Sequence, residues 1–372
     1  MKILLIGNYA FSYQRSMERF ADVLRWGLTA AGHEVGLIRP SPYFGHLRPL
    51  PTGVGKWLGY IDRFVIFPFV LRRALKWPDI VHICDHTNAV YVKYLRRRPH
   101  LVTCHDMLAI RSALGEVPQN PTRWTGKHLQ RMILNGLNQA QRVICVSENT
   151  KADLLRISAM NCGRIGVIYN GLNYSYRPMA EGETRARLKT LRLDGKPFLL
   201  HVGANCWYKN RPGVLRIFSQ LARFAGASEF KLVMVGEPWT AEMRCFAAQQ
   251  GLSGKVVELV NVSDEDLRAL YSGAVALVFP SLAEGFGWPI LEAQACGCPV
   301  FTSNRPPMTE VGRDAAIYLD PERPEDAAWA IATQLGTLDI LRKRGLQNAQ
   351  CFTTEQMIRG YLAEYEGLLG AG

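Results

Sequence analysis

Much of what this sequence does not contain is informative. No run approaches the ~20 apolar residues needed to cross a bilayer as a helix, and the uncharged core of segment 56–77 extends only from Phe64 to Leu71. There is no internal repeat at a fixed period and no collagenous, low-complexity or disordered tract, so fibrous and repeat architectures are excluded. The nine cysteines include no CxxC pair, and no His lies at metal-ligand spacing from them. That removes zinc-ribbon and thioredoxin-like chemistry, and an odd, scattered set points to a reducing compartment. No GxGxxG follows any apolar run, which argues against a dinucleotide oxidoreductase. A recognised nucleic-acid module and a basic helix are also missing, so the charge of +12 does not by itself indicate DNA or RNA.

What is present describes a globular chain. Its 372 residues, 48% hydrophobic and 20% charged, exceed what one core usually organises and predict two domains. The basic surface will attract anions such as phosphorylated small molecules or an acidic membrane. The opening Lys2-Ile3-Leu4-Leu5-Ile6 is too short for a signal peptide and reads as a first buried strand, so a cytoplasmic protein is expected.

Short apolar runs, each followed by a turn signal and an amphipathic stretch, recur along the chain in the manner of βα units around parallel sheets. In the first half they are 2–6, 34–38, 79–84, 100–104, 142–146 and 165–169; in the second, 197–202, 231–235, 256–260, 275–279 and 298–302. Helices are expected around 211–224, 240–250, 264–272, 289–296 and 353–369. The charged segment 176–196, with Pro178 and Gly195 as breakers, separates the halves. The expectation is therefore an α/β chain with an N-terminal domain over 1–177, a C-terminal domain over 178–351, and a terminal helix over 352–372 crossing back to the first. Two Rossmann-like halves imply a cleft, with ligands bound beyond the carboxyl ends of the strands.

The segment with most chemical content is Ser281 to Val300. Pro289 suits the first turn of a helix and Gly297 its C-terminal cap, so a short helix opens directly behind the loop Glu284-Gly285-Phe286-Gly287. Backbone N–H groups of Phe286, Gly287 and Trp288 would point at a phosphate, which the glycines allow to approach closely. Glu284 and Glu292 are favoured there by the helix dipole, and charged acceptors of that kind also grip sugar hydroxyls strongly.

With seven residues between them in the context EGFGWPILEAQACGCPV, Glu284 and Glu292 resemble the signature of retaining GT-B glycosyltransferases of family 4. The resemblance implies two Rossmann-like domains facing each other across a cleft, and transfer of a hexose from a nucleotide diphosphate donor, UDP- or GDP-linked, to a sugar, lipid-linked or small-molecule hydroxyl in glycan biosynthesis. It implies that Glu292 holds the ribose, and that Glu284 with the Gly285-Phe286-Gly287 backbone meets the transferred sugar. His201-Val202-Gly203 followed by Tyr208-Lys209-Asn210 looks like the family's diphosphate loop, with Lys209 on the leaving group, where a point charge is needed. Val262, before the acids 264–266, would meet the base. Thr103-Cys104-His105-Asp106 resembles the family's His-bearing loop facing the transferred sugar, which implies a catalytic role for His105 and places His105 and Asp106 on the acceptor side. No cofactor and no metal is implied.

Asp264-Glu265-Asp266 also spells a metal-binding DxD, but Ser263 and Asp266 read as a helix capping pair with the acids at a helix start. Two departures from the family stand out. The first loop, Gly7 to Glu18, lacks the usual glycine pair, and Ala204 occupies the place of a second basic residue, for which Arg211 is either a substitute or a solvated helix-start charge. Segment 56–77, aromatic with flanking Lys and Arg, reads equally as a helix packed on the first sheet or as a peripheral membrane contact at the inner face. Arg96-Arg97-Arg98 is similarly open. The alternatives to sugar transfer are a nucleotide-sugar epimerase of the same fold, which would need no acceptor, and, more remotely, a basic nucleic-acid-binding protein.

Overall fold

The computed structural model describes residues 1–9, 15–45, 54–95, 98–193 and 195–370. The residues 10–14 of the first loop, and Arg96 and Arg97, lie outside the described residues. The chain divides into two compact units, Met1–Asn173 with Thr354–Gly372, and Tyr174–Thr353. The boundary read from sequence at 178 falls just after this crossing point.

The first unit is built on a six-stranded sheet of β1 (Lys2–Ile6), β2 (Glu34–Ile38), β3 (Ile80–Ile83), β4 (His100–Cys104), β5 (Arg142–Cys145) and β6 (Ile165–Val167), in the order β2-β1-β3-β4-β5-β6. The second repeats the scheme with β7 (Phe198–Gly203), β8 (Lys231–Gly236), β9 (Val256–Leu259), β10 (Ala276–Phe279), β11 (Val300–Ser303) and β12 (Ile317–Leu319), ordered β12-β11-β10-β7-β8-β9. Every pairing within them is parallel, from Ile3↔Val35 and Ile3↔Ile80 in the first sheet to Leu277↔Val300 in the second. Helices cover both faces of such sheets, so central strands are apolar throughout rather than alternating. β3, β4 and β10 are buried at every residue, whereas the edge strands β2 and β9 are half-exposed.

Both sheets reverse direction of growth beside their first strand. The switch falls between β1 and β3 in one unit and between β7 and β10 in the other, and ligands of open α/β sheets bind beyond the strand ends at such points. Asn8 follows β1 and Asp85 follows β3; Lys209 follows β7 and Glu284 follows β10.

Two segments differ from the sequence expectation. The stretch 176–196 contains a helix, Glu181–Thr190, whose i,i+4 pairs Glu181–Arg185 (2.7 Å) and Glu183–Arg187 (3.4 Å) support it. It packs on helix Asp264–Gly273, where Gly273 leaves room for Leu188 and Thr184, so this segment is part of the second unit. β12 is an added strand of three residues, too short to register as an apolar run. The terminal helix Thr354–Gly370 returns to the first unit: Tyr365 OH and Thr103 Oγ1 bracket the His82 ring at 2.7 and 2.8 Å, Tyr361 OH meets Thr103 Oγ1 at 2.9 Å, and Glu364 receives a bidentate pair from Arg142 at 2.7 Å.

Candidate functional site

In the second unit, the loops after β7 and β10 are stitched together by backbone. Leu282 N donates to Tyr208 O at 2.7 Å, and the Asn210 amide donates to the carbonyls of Pro280 (3.0 Å) and Pro321 (3.2 Å). Asn210 adopts φ 51°, a left-handed conformation that Asn tolerates, and thereby ends the short turn Trp207–Lys209 and opens helix Arg211–Leu221. Its amide group therefore serves as a brace for three loops.

Held by this brace, Lys209 Nζ lies 2.8 Å from Glu284 Oε1 and 3.0 Å from Oε2. The pair is largely withdrawn from solvent, the Lys209 side chain being 16% exposed and Glu284 8%. The ammonium also stands 5.0 Å from the Phe279 ring centroid and 5.7 Å from that of Tyr208, where ring quadrupoles favour a cation. An ammonium has three donors, so pairing with one carboxylate orients it without exhausting it.

Behind Glu284 the chain turns through Gly287 at φ 102°, a conformation that L side chains rarely adopt, into helix Trp288–Ala295 with Pro289 in its first turn. Gly297 at φ 73° closes the other end. The Phe286 side chain is buried between Trp288 and Phe352, with centroids 6.0 Å away in each case, so this residue offers a ligand its backbone rather than its ring. Gly285 beside it is half-exposed. Glu292, one turn into the helix, is buried and accepts a hydrogen bond from Tyr271 OH at 2.8 Å. Burial, and then the Glu292 carboxylate, push the Tyr271 phenol well above its ordinary range and keep it a donor. Sequence reasoning missed Tyr271; its only signal was a polar tip on the buried face of helix Asp264–Gly273.

Val262 is half-exposed in the turn between β9 and that helix, where Asn261 takes φ 55°. Ser263 caps the helix, its Oγ accepting from Asp266 N at 3.1 Å and donating to Asp266 Oδ2 at 2.6 Å. Asp266 further pairs with Arg187 at 3.2 Å, and Glu265 with Arg268 at 3.0 Å and with the Tyr174 hydroxyl. The acids at 265 and 266 are thus engaged in capping and ion pairs. Among the described residues, no group of three or more His, Cys, Asp or Glu is arranged to hold a metal.

Arg211 overturns the reading of a solvated helix-start charge, since it is only 1% exposed. Its guanidinium donates to Asn205 Oδ1 and, at 2.7 Å, to Glu237 O; Asn205 in turn donates from its backbone to Glu237 Oε2 and from its amide to Pro238 O, both at 2.7 Å. This network ties the loop carrying Lys209 to the end of β8. Desolvation lowers the Arg211 pKa without removing the charge.

In the first unit, His105 is buried with Nε2 donating to Cys84 O at 2.9 Å and Phe20 edge-on at 4.7 Å. Burial lowers its pKa, outweighing the nearby Asp85 carboxylate, so the ring is neutral with Nδ1 as its acceptor nitrogen. Asp106 accepts from Leu108 N at 2.9 Å immediately ahead of helix Leu108–Leu114, a local structural bond alongside its expected acceptor-side role. A network that sequence reasoning did not single out fills the switch point. Asn8 Nδ2 donates to Asp85 Oδ2 at 2.5 Å, Asn88 Nδ2 to Asn8 Oδ1 at 2.8 Å, and Thr87 N to Asp85 Oδ1 at 2.8 Å. Burial alone would raise Asp85, but His86 and the hydrogen bonds from Asn8 and the Thr87 backbone outweigh it and hold the carboxyl below its usual range. The available signal was Asp85-His86-Thr87-Asn88 immediately after the run 79–84.

Two parallel α/β sheets with charged loops at their switch points match known families over nearly the whole chain. The family described as Glycosyltransferase Family 4 matches residues 17–176, and the family described as Glycosyl transferases group 1 matches residues 183–351. The chain belongs to the GT-B group 1 glycosyltransferases. It is 29% identical over 299 residues to O-antigen chain mannosyltransferase B of Escherichia coli, covering 78% of this chain and 77% of that protein. It is 27% identical over 288 residues to D-inositol 3-phosphate glycosyltransferase of Nocardia farcinica, covering 73% and 62% respectively. Among solved structures, sucrose-phosphate synthase from Thermosynechococcus elongatus aligns over 100% of both chains with a TM-score of 0.76 and 22% identity. Anabaena HepE, in complex with UDP and glucose, aligns over 99% of this chain and 100% of its own with a TM-score of 0.78 and 16% identity. At these identities the structural likeness speaks to the fold.

Proposed function

We propose that this glycosyltransferase moves a hexose from a UDP- or GDP-linked donor, with retention of anomeric configuration, onto a hydroxyl of a glycan or lipid-linked acceptor. The observation that carries the reading is the Lys209–Glu284 pair in the loops after β7 and β10, followed directly by the helix start at Gly287. Lys209 and the backbone at Gly285, Phe286 and Gly287 take the charge that grows on the departing diphosphate, an electrostatic role that needs no metal. Glu284 holds Lys209 and meets the transferred sugar; Glu292, oriented by Tyr271, holds the ribose; and the turn at Val262 faces the base. Arg211, through Asn205 and Glu237, and Asn210, through its braces, position the Lys209 loop. His105, kept neutral by burial, and Asp106 serve the acceptor side. The acceptor oxygen forms the new bond to the anomeric carbon as the bond to the diphosphate oxygen breaks on the same face, and the hydroxyl proton passes to the departing diphosphate, without a covalent protein intermediate.

Support for the donor and acceptor classes comes from the mannosyltransferases among the relatives and from the UDP and glucose bound by HepE. Mass spectrometry of the purified chain incubated with a panel of nucleotide sugars tests the proposal. Nucleotide diphosphate released from one donor, and more of it when acceptor is added, is the expected result. Conversion of the donor to an epimer with no acceptor would replace transfer by epimerisation.

A further inference from the structure

Segment 54–74 of the first unit forms consecutive helical turns, Val54–Ile61, a π-helical stretch Asp62–Ile66, and Phe67–Ala74. One side is core: Phe67, Pro68 and Leu71 are buried. The other side presents Trp57, Ile61, Val65 and Phe69, spaced four apart and 63%, 38%, 51% and 66% exposed. Residues four apart share a helix face, and the wide π turn keeps that alignment across the middle of the segment. Beyond Phe69 the same line runs into exposed Arg72, Arg73 and Lys76, at steps of three, four and seven residues.

The charge on this face has one sign. The sole acid of 54–77 is Asp62, and it is buried, accepting from Tyr9 OH at 2.9 Å and from the backbone of Phe44 and Gly45 at 2.9 and 3.0 Å. Those bonds bring the exposed rings of Tyr43 and Phe44 to the flank of the same helix. An apolar strip ending in cations and carrying no exposed anion complements a layer whose interior is hydrocarbon and whose surface is negative. Among the described residues no helix is long and apolar enough to cross a membrane, so the strip lies along a bilayer rather than through it.

We infer that the face of Trp57, Ile61, Val65 and Phe69, with Arg72 and Arg73, docks this enzyme on an anionic lipid bilayer. The docked helix is joined to the switch point of its own sheet, because Asp62 holds Tyr9 just past β1. Asn8, Tyr9, Arg63 and Gln130 line a cavity of ≈ 120 Å³ immediately inside it. The docking does not depend on the donor assignment.

The test is co-sedimentation of the full chain with vesicles of phosphatidylcholine alone or mixed with phosphatidylglycerol. The wild type should bind the mixed vesicles about tenfold more tightly than the neutral ones, and less so in high salt. Trp57→Ser/Phe69→Ser should weaken binding to mixed vesicles by about tenfold or more, and Arg72→Glu/Arg73→Glu should abolish the preference for the anionic lipid. All four positions are exposed, so unchanged melting curves will show that the variants fold. Wild type that ignores phosphatidylglycerol vesicles, or a serine variant that binds them unchanged, would overturn the inference. So would a wild-type dimer that becomes monomeric in the serine variant, which would assign the strip to a second copy of the chain.

Discussion

Lys209 and Glu284, on loops after two different strands, close a bidentate ion pair at 2.8 and 3.0 Å that is mostly shielded from water. The geometry gives Lys209 a part in folding besides its proposed part in the chemistry. Lys209→Ala leaves a buried carboxylate without its partner, which should cost about 1–3 kcal/mol of stability besides lowering kcat. The double variant Lys209→Ala/Glu284→Gln should recover most of the stability and none of the turnover. Melting curves and initial rates on the three proteins check this. Recovery of turnover in the double variant would remove Lys209 from the chemistry.

Two imidazoles make acid stability a property of the core. Burial pushes His82, in β3, and His201, in β7, down to about 3. The unfolded chain binds those protons near pH 6.5, the native state only near 3, so stability is complete above about pH 6.5 and falls as pH drops toward 3. Each contributes a loss of roughly 2 kcal/mol by pH 5. His82→Gln should flatten the decline in melting temperature between pH 7 and 5, and an unchanged slope would show that His82 is not the titrating group.

How much of this was legible beforehand differs by element. The central strands could be read because parallel strands buried on both faces are continuous apolar runs; Val143-Ile144-Cys145 and Ala276-Leu277-Val278-Phe279 carry that signal. β12 could not, as three residues hold no period. The helix start at Gly287 was legible from glycine and proline spacing alone, whereas Tyr271 and the Asn8–Asp85 pair depend on strand order, which joins residues 77 positions apart. Burial of Arg211 was invisible for the same reason: its partners are Asn205, on its own loop, and Glu237, after the neighbouring strand.

The acids at 264–266 give a test of metal dependence. Activity should survive EDTA, and Asp264→Asn/Asp266→Asn should keep turnover while losing part of the Arg187 pairing. Ser263→Ala should cost about 1 kcal/mol through the lost cap and leave the rate unaltered. Complete loss of activity in EDTA, restored by magnesium or manganese, would show that these acids bind a metal.

Gly287 is expected to tolerate no side chain. At φ 102° an added Cβ is strained and would also meet Ile290 Cδ1 at 3.3 Å, so Gly287→Ala should lower the melting temperature and weaken nucleotide binding together. A variant with normal affinity would show that this backbone turn does not shape the donor site.

The proposed grip of the second unit on a nucleotide diphosphate through Glu292 is tested by calorimetric titration of UDP and GDP into wild type, Tyr271→Phe and Glu292→Ala. The wild type should bind one of the two nucleotides, Glu292→Ala should lose roughly 1.5–3 kcal/mol of that affinity, and Tyr271→Phe, which removes only the orienting hydroxyl, about 0.5–1.5 kcal/mol. Undiminished affinity in a folded Glu292→Ala protein would contradict the assignment.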